Sequence, residues 1–578
     1  MLRRVLYIDL DKKESFVEDR GDLFEEWLGG TGVATQLLLE ECPQGTDPLS
    51  PEAPIIFGIG PLTALFPAMT KTVATFKSPL NGELGESYAG GRLAMSMRFA
   101  GHEAIVIRGA ADRPCYISIR DGEVKIKDAR SIWGIPATVV GYILRDVEKG
   151  VGRRSIIRIG PGGEQLVKYA GVVVDTYRHF GRLGLGAVFG SKNLKAMVVS
   201  GTEDVEVPDP KRYREIYNQL YRTVVKTDAM EKYHDIGTPI NINVLNQLKG
   251  LPTRNFQDSS FEAAEKISGE VLADNYLFRR VSCAHCPIGC IHIGMLKTSF
   301  SRHHEYEIRK ISYDFELIYA LGSNLGVTSP EGILELIEAC ERQGIDAIST
   351  GVVLAWATEA LERGLITTED TLGLALKWDD VEGYLKAIDE IVKKKNEFYS
   401  ALAEGVEVAS EKYGGREFAM ALGGNEVPGY HTGPASIVGL TVGVRHSHLD
   451  NAGYGIDQKA AKKSLSPEEM VDAIIQEDDA RGVYNSLIGC LFARGVYSTE
   501  NIIEALGSVG IERSVEDLEI LGRKIFEEKY RFKVREGFDL KKARIPARFY
   551  ETVSTVGMVD PETVETMMKI YRERRGWA

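Results

Sequence analysis

The segment EDVEVPDPKRY, residues 203–213, marks the place where the pattern of the chain changes. Before it, runs rich in Ile and Val, such as APIIFGIGP and EAIVIRGA, end at Gly, Pro or Asp, which is typical of strands. After it, apolar residues recur at three- and four-residue steps and Gly often follows, which predicts helices. Strand runs dominate the first part without alternating helices, so one or two mixed sheets are favoured over a doubly wound fold.

A second break in the pattern, YGGREFAMALGGNEVPGYHTGP at residues 413–434, divides the helical part. We therefore predict an α+β protein in which a β-rich N-terminal domain is followed by two mainly α-helical domains. The predicted boundaries are residues 1–205, 206–415 and 416–578.

Composition excludes some classes of protein. The 578 residues contain 70 Lys and Arg against 83 Asp and Glu, a net charge of -13, which argues against a general nucleic-acid binder. No apolar run reaches the ~18 residues of a membrane span. The N-terminal apolar run VLYI stops at Asp9, too early for a secretory signal. We expect a cytoplasmic protein without a membrane partner.

Three of the seven cysteines lie close together in VSCAHCPIGCIHIG, at Cys283, Cys286 and Cys290. Three thiols at this spacing suit one metal centre, and two centres compete. A structural zinc site would add His285 or His292. An iron–sulfur cubane needs four thiolates, often three nearby and one remote, and Cys490 in YNSLIGCLFARG is a candidate fourth. The third interpretation is three reduced, buried cysteines without a metal.

Glycine-rich turns with nearby cations recur in the strand region. GGTG at 29–32 does not follow a strand, and Gly190-Ser191-Lys192 has the wrong order for a P-loop, so neither nucleotide motif has its required context. Glycine lets a backbone approach a bulky ligand, and Lys or Arg neutralises phosphate. The alternative is ordinary turn chemistry with solvated charges. The candidate cations are Lys71, Lys77, Arg92, Arg178, Arg182 and Lys192.

Together, the motifs SYAGGRL, GRLGLGAVFGSKNLKA, LPTRNF, Cys-x2-Cys-x3-Cys, GIDAISTG, the remote Cys490, KVREGF and RRGWA resemble the tungsten-containing aldehyde ferredoxin oxidoreductase family over most of the chain. The resemblance implies a tungsten bis-pyranopterin cofactor between the domains and one 4Fe–4S cluster beside it. It also implies oxidation of aldehydes to carboxylic acids, with ferredoxin or a small iron–sulfur subunit as electron acceptor.

The resemblance also places the family's cofactor contacts on individual residues. The family position whose backbone carbonyl holds a magnesium between the pterin phosphates is Tyr88 here, where the better-known members have Asn. A paired motif falls on Glu341 to Asp346 and on Asn485 to Cys490, with Glu341 and Asn485 in place of the leading Asp. Asp346 is also a candidate N-cap. The implied contacts are Lys71, Tyr88, Gly90, Gly91, Arg178, Arg182, Asp346 and Asn485.

The reacting centre has two candidates. Glu316 lies in the apolar pattern YDFELIYALGSNLGV, either as an exposed edge residue or as a buried carboxylate with a raised pKa, suited to general-base work. His448 lies in VRHSHLDNAGY, and on an extended segment His446 would face the same side. The resemblance places the catalytic pair at Glu316 and His448. Glu305 and Glu307 compete with Glu316, but their charged run SRHHEYEIRK is typical of a solvated or loop segment. The substrate-pocket candidates are Tyr430, His431 and His446.

Two other functions remain open from the sequence. The resembling family includes catalytic subunits of larger complexes, including reductases of aromatic thioesters. A protein of another class, a zinc-stabilised binding or scaffold protein, would also use the cysteine cluster. We expect a small aldehyde substrate and either a homo-oligomer or a hetero-oligomer.

Overall fold

A computed structural model describes residues 2–149, 153–299 and 305–577. Its strands are β1 Arg4–Asp9, β2 Glu14–Asp19, β3 Ile55–Gly58, β4 Thr72–Lys77, β5 Leu84–Ala89, β6 Ala104–Arg108, β7 Cys115–Arg120, β8 Glu123–Asp128, β9 Arg153–Arg158, β10 Val172–Val174, β11 Arg178–Phe180, β12 Leu194–Gly201, β13 Leu277–Val281, β14 Ile291–Ser299, β15 Tyr306–Tyr313, β16 Ala421–Leu422 and β17 Asn425–Glu426.

The α-helices in the same residues are α1 Gly21–Trp27, α2 Gly30–Glu41, α3 Leu93–Phe99, α4 Ala137–Val147, α5 Pro161–Glu164, α6 Leu185–Ser191, α7 Pro210–Lys226, α8 Asp228–Asp235, α9 Asn241–Gln247, α10 Gly269–Asn275, α11 Phe315–Leu321, α12 Pro330–Gln343, α13 Ala347–Glu362, α14 Val381–Lys393, α15 Glu397–Leu402, α16 Val406–Tyr413, α17 Pro434–Val442, α18 His448–Asn451, α19 Gly453–Ala460, α20 Pro467–Ser486, α21 Thr499–Ser508, α22 Val515–Arg535, α23 Arg548–Glu551 and α24 Pro561–Arg575.

The N-terminal region contains two mixed six-stranded sheets, in the strand orders β2-β1-β6-β3-β4-β5 and β11-β10-β9-β12-β7-β8. In each sheet one pair is parallel, β1 with β6 and β7 with β12, and the other pairs are antiparallel. Buried residues of both sheets share one apolar cluster, in which the rings of Phe57 and Phe180 lie 5.6 Å apart. This confirms the predicted α+β class and the mixed sheets.

The helical region is not purely helical. Strands β13, β14 and β15 form a three-stranded antiparallel sheet, and the cysteine loop connects β13 to β14. The run SRHHEYEIRK was expected to be a solvated loop, but from Tyr306 onward it belongs to β15. Glu305 and Glu307 on this run are exposed. Residues 300–304 lie outside the described part of the chain.

Side-chain caps fix where the helices that carry the site begin. Asp314 caps α11 and accepts a hydrogen bond from the Leu317 N–H. Ser466 and Glu469 form a reciprocal capping box at the start of α20. Of the helices in the described residues, none is both long and apolar enough to cross a membrane.

Candidate functional site

A cavity of about 420 Å³ lies between the N-terminal sheets and the ends of α11, α13, α18 and α20. Fourteen of the residues predicted from the sequence line it: Lys71, Tyr88, Gly90, Cys283, Cys286, Cys290, Arg178, Arg182, Glu316, Asp346, Tyr430, His448, Asn485 and Cys490. Three others, Gly91, His431 and His446, are not part of the lining. The three regions of the chain therefore contribute to one site.

The four cysteines are brought together by backbone hydrogen bonds between distant segments. In the cysteine loop, the N–H of Ala284 donates to the Gly91 carbonyl at 2.9 Å. The N–H of Cys490 donates to the Ala68 carbonyl, also at 2.9 Å. Burial is the largest factor that raises the pKa of Cys290, with the thiols of Cys490 and Cys283 next, to about 12. Thiols in such a place ionise when a metal binds them.

Gly90 allows the closest contact between the β-rich region and the cysteine loop. A Cβ atom at Gly90 would lie 2.5 Å from Sγ of Cys283 and 3.3 Å from Nζ of Lys71. Gly91 supports the same turn: its φ of +100° favours glycine, and a Cβ there would lie 2.9 Å from Asp175. Gly91 thus supports the turn that carries Gly90 without lining the cavity itself.

Of the two histidines proposed as zinc ligands, His292 is held by backbone carbonyls, whereas Nε2 of His285 is buried without a hydrogen bond to the described residues. The ring nitrogens of His292 contact backbone carbonyls, Nδ1 with Cys290 at 3.2 Å and Nε2 with His234 at 3.0 Å. The ring of His285 packs 5.9 Å from that of Tyr217. In the described part of the chain, no three His, Cys, Asp or Glu side chains are placed to hold a single metal ion. The four thiols are the donor set that an iron–sulfur cluster uses.

Lys71, Arg178 and Arg182 place positive charge in the cavity. Arg182 bonds Asp346 through Nε at 3.2 Å and the Glu426 carbonyl through Nη2 at 2.6 Å, while its buried Nη1 has no hydrogen-bond partner among the described residues. Burial lowers the pKa of Lys71, but the thiolates of Cys490, Cys283 and Cys290 outweigh it, and the net shift is upward. These side chains can therefore hold an anionic group.

The other three candidate cations of the strand region have structural roles. Lys77 forms a buried ion pair with Glu536 at 2.5 Å. Arg92 pairs with Asp175 at 3.2 Å, and Nζ of Lys192 donates to the carbonyls of Pro51 and Gly109. These three residues do not line the cavity, but Lys77 and Lys192 are buried, so they are not the solvated turn charges of the alternative interpretation either.

Asp346 has the capping role considered from the sequence and also contacts a cavity cation. It caps α13, where its carboxylate accepts hydrogen bonds from the N–H groups of Ile348 and Ser349. Its Oδ2 atom also accepts from Nε of Arg182. The cap thus fixes a carboxylate that orients a cavity cation. Asn485 stands at the end of α20 and lines the cavity.

Glu316 and His448 face each other across one part of the cavity. Oε1 of Glu316 lies 3.3 Å from Nε2 of His448, and Oε2 accepts the Gly429 N–H at 3.1 Å. Burial is the main cause that raises the pKa of Glu316 to about 8. Burial also lowers the pKa of His448 to about 3, and Arg182 and Arg445 lower it further. Near neutral pH both side chains are therefore mostly uncharged.

An aromatic wall adjoins this pair. The ring of Tyr430 stacks on Tyr454 at 4.3 Å and lies 5.0 Å from Phe315 and 5.1 Å from His448. All four side chains line the cavity. Such a wall suits an apolar or planar substrate beside two polar groups.

His446 and His431 differ from the sequence expectation. The segment is not extended at this point: His446 has a φ of 54°, and His448 begins α18. The two rings therefore separate, and Nε2 of His446 contacts Lys533 at 2.9 Å and Glu83 at 3.1 Å. Nε2 of His431 instead contacts the Thr552 carbonyl at 2.9 Å.

Sequence reasoning missed a group of buried charges behind the cavity. Arg445 lines the cavity, bonds Asp450 at 2.6 Å and lies over the ring of Tyr88 at 4.9 Å. Tyr88 donates to Glu86 at 2.7 Å, and Lys529 also reaches Glu86 at 2.7 Å. These residues come from β5, the segment around α18 and α22, which are far apart in the sequence, so the fold is needed to reveal the group.

Comparison with known proteins identifies the family. Residues 5–201 match the family model "Aldehyde ferredoxin oxidoreductase, N-terminal domain", and residues 215–578 match "Aldehyde ferredoxin oxidoreductase, domains 2 & 3". The chain belongs to the aldehyde ferredoxin oxidoreductase family. It is 34% identical to the tungsten-containing aldehyde ferredoxin oxidoreductase of Thermococcus kodakarensis, over 99% of this chain and 96% of the relative.

Two further similarities widen the comparison within this fold. The chain is 31% identical to the WOR-like subunit of an aliphatic sulfonate oxidoreductase from Pyrococcus furiosus, over 71% of this chain and 67% of the relative. A solved BamBC active-site complex of benzoyl coenzyme A reductase shares the fold, with a TM-score of 0.82 and 20% identity. It covers 100% of this chain and 94% of that chain. Membership in an oxidoreductase family argues against a zinc-stabilised scaffold.

Proposed function

We propose that this chain is a tungsten-dependent enzyme that oxidises aldehydes to carboxylic acids and passes the electrons through a 4Fe–4S cluster to ferredoxin. The observation that carries the proposal is the position of the Glu316–His448 pair in the same cavity as four cysteines and the cations Lys71, Arg178 and Arg182. The 34% identity to a tungsten-containing aldehyde ferredoxin oxidoreductase supports it.

The cavity fits a pterin cofactor with phosphate groups. In the described part of the chain, nothing accepts a hydrogen bond from the buried Nη1 of Arg182, and Lys71 and Arg178 line the same cavity. We expect these cations to hold the phosphates, with Asp346 and Asn485 at the pterin edges and Gly90 leaving room for close approach. When bound, the tungsten pterin supplies the two-electron oxidation. A magnesium ion held by the Tyr88 carbonyl remains a prediction.

Cys283, Cys286, Cys290 and Cys490 are the proposed cluster ligands. They line the same cavity, and Nζ of Lys71 lies near Gly90, beside Cys283. A cation near a thiolate-bound cluster stabilises its negative charge, so Lys71 would connect the pterin and the cluster electrostatically. Electrons leaving the substrate would have a short route to the thiols.

The chemistry requires a base and a hydrogen-bond donor. The overall reaction is RCHO + H2O → RCOO⁻ + 3 H⁺ + 2 e⁻. Oε1 of Glu316 is buried and makes no hydrogen bond with the residues that the structure describes, so it is the oxygen that can accept a proton from the attacking water. Oε2 is held by the Gly429 N–H, which fixes the carboxylate. The neutral imidazole of His448 can donate an N–H to the aldehyde oxygen as it becomes negative.

The decisive experiment is anaerobic purification, metal analysis and an assay with several aldehydes and benzyl viologen. We expect tungsten and about four iron atoms per chain, with aldehyde-dependent dye reduction. Molybdenum in place of tungsten would correct the metal. A fully metallated protein that reduces no dye with any aldehyde would reject aldehyde oxidation.

A second candidate is a catalytic subunit of a larger pterin and iron–sulfur complex, for example one that reduces an aromatic thioester. The 31% identity to a WOR-like subunit favours keeping this candidate. It requires that the chain purify from its native host with iron–sulfur or flavin subunits. Recovery of the active chain alone would reject it.

A further inference from the structure

Helix α7 is a basic element in an acidic protein. Its 17 residues carry Lys211, Arg212, Arg214, Arg222 and Lys226 against one acidic residue, Glu215, whereas the whole chain has a net charge of -13. The five cations are exposed. None of them lines the cavity, so the mechanism does not use them.

The cations and the aromatic residues of α7 lie on two neighbouring stripes. Arg214, Arg222 and Lys226 follow each other at multiples of four residues, and so do Tyr213, Tyr217 and Tyr221, so each set shares one side of the helix. Arg212 approaches Glu512 at 3.8 Å. With the described carboxylates, Arg214, Arg222 and Lys226 form no ion pair.

The tyrosine stripe leads from the surface to the cysteine loop. Tyr221 is 39% exposed, and its ring stacks on that of Tyr217 at a centroid distance of 5.9 Å. The ring of Tyr217 lies 5.9 Å from that of His285, which stands between Cys283 and Cys286. Tyr213 donates to the Leu65 carbonyl at 2.7 Å and anchors the inner end of the stripe.

We propose that the exposed surface of α7 formed by Arg214, Tyr221, Arg222, Val225 and Lys226 docks an acidic iron–sulfur electron carrier. This inference rests on the proposed function, since it names where the electrons leave. Each carrier molecule accepts one electron, so two are reduced for each aldehyde oxidised.

Charge and position both favour this occupant. A cluster of unpaired cations on a protein of opposite net charge orients an acidic partner toward that cluster, and the attraction decreases with salt. Tyr221 and Val225, the latter 46% exposed, supply apolar contact beside these cations. Along the ring contacts described above, Tyr217 links Tyr221 on this surface to His285 in the cysteine loop.

The test compares two charge-reversed proteins. The first carries Arg214→Glu, Arg222→Glu and Lys226→Glu. The control carries Arg523→Glu, Lys524→Glu and Arg531→Glu on the exposed face of α22, which changes the net charge equally. Binding of each holoenzyme to a strongly acidic 4Fe–4S ferredoxin is measured by calorimetry at low and high salt. Turnover of an aldehyde is measured with that ferredoxin and with benzyl viologen.

We expect the α7 variant to bind ferredoxin at least about tenfold more weakly at low salt, because three cations that would pair with ferredoxin carboxylates have been replaced by glutamates. The difference in ferredoxin affinity between the wild type and the α7 variant should decrease at high salt. The rate of benzyl viologen reduction should equal that of the wild type. Equal ferredoxin binding by the wild type and the α7 variant would overturn the proposal, as would the same loss in the α22 control.

Two further outcomes would also overturn it. One is α7-dependent binding to phosphatidylserine vesicles without ferredoxin binding, and the other is α7-dependent self-association in sedimentation. Binding is independent of turnover, so an enzyme that oxidises no aldehyde yet loses ferredoxin binding in the α7 variant would reject the proposed function and keep the docking surface.

Discussion

Oε1 of Glu316 lies 3.3 Å from Nε2 of His448, although the two residues stand in the first turns of different helices in different regions of the chain. Burial moves their pKa values in opposite directions, upward for the acid and downward for the imidazole. Each side chain is therefore mostly neutral near pH 7. Groups whose environment shifts the pKa this far are characteristic of reacting centres.

Removal of Cys490 should abolish the cluster, whereas removal of Cys340 should not. Both cysteines line the cavity, but Cys490 is near Cys290 and Lys71, whereas Cys340 is buried in α12 with its thiol near Thr350. We expect Cys490→Ala to lose most of its iron or to convert to a smaller cluster, and Cys340→Ala to keep it. Iron analysis and electron paramagnetic resonance check this. An intact cubane signal in Cys490→Ala would disprove the ligand assignment.

Gly90→Ala should displace the cysteine loop. The new methyl group would lie 2.5 Å from Sγ of Cys283, too close for any contact, so one of the two segments must move. We expect a lower iron content and a lower melting temperature. Gly122→Ala is the matched control, because nothing lies within 4 Å of a Cβ there. Equal iron content in both variants would show that the loop tolerates the shift.

Much of the fold was predictable because its local signals agree with the final packing. The strand runs with Ile and Val ended at Gly or Asp as expected, and Asp346 and Asp314 cap their helices. The cysteine spacing and the motifs that resemble the family also selected residues that the fold brings together. In such places, local sequence and tertiary structure favour the same arrangement.

The remaining features depend on tertiary contacts. The sheet formed by β13 to β15 contains the charged run after residue 305, where most of the first five residues of β15 are exposed and show no alternation. The turn at His446, with a φ of 54°, sends neighbouring histidines to different partners, which no spacing rule predicts. The group around Glu86 combines residues from β5, α22 and the loop before α18, so only folding assembles it.

Replacing His446 should mainly lower stability, whereas replacing His448 should mainly lower turnover. His446 bonds Glu83 and Lys533 in a buried cluster, so His446→Ala should lower the free energy of unfolding by about 1–3 kcal/mol, because those partners lose a hydrogen bond. Turnover per metallated molecule should stay close to wild type. His448→Ala should instead lower turnover by about 10²–10³-fold with little change in stability.

Thermal denaturation and turnover per tungsten atom distinguish these effects. We expect turnover to differ between the two variants because His448 lines the cavity and His446 does not. A large loss of turnover in metallated His446→Ala, with normal turnover in His448→Ala, would show that His446 and not His448 is the catalytic histidine.

Glu316 should make turnover depend on pH between about 7 and 9. Its pKa of about 8 means that the carboxylate, the form that accepts a proton, increases as the pH rises from about 7 to 9. Turnover should rise over that range, and Glu316→Gln should lower it by about 10²–10⁴-fold and remove this dependence. Glu341→Gln, another carboxylate of the cavity lining, is the matched control and should keep the wild-type profile.

The same shift has a consequence for stability that does not require the cofactor. The unfolded chain ionises Glu316 near its ordinary pKa of about 4.3, whereas the folded chain does so near 8. The folded state then holds a proton that the unfolded state has lost, so this group's contribution to the free energy of unfolding falls as the pH rises from about 4 to 8. In metal-free protein, Glu316→Gln should remove that decline. A wild type and variant whose unfolding free energies change in parallel between pH 5 and 8 would show that the Glu316 pKa is not raised, and Glu316 would then lose its role as the base.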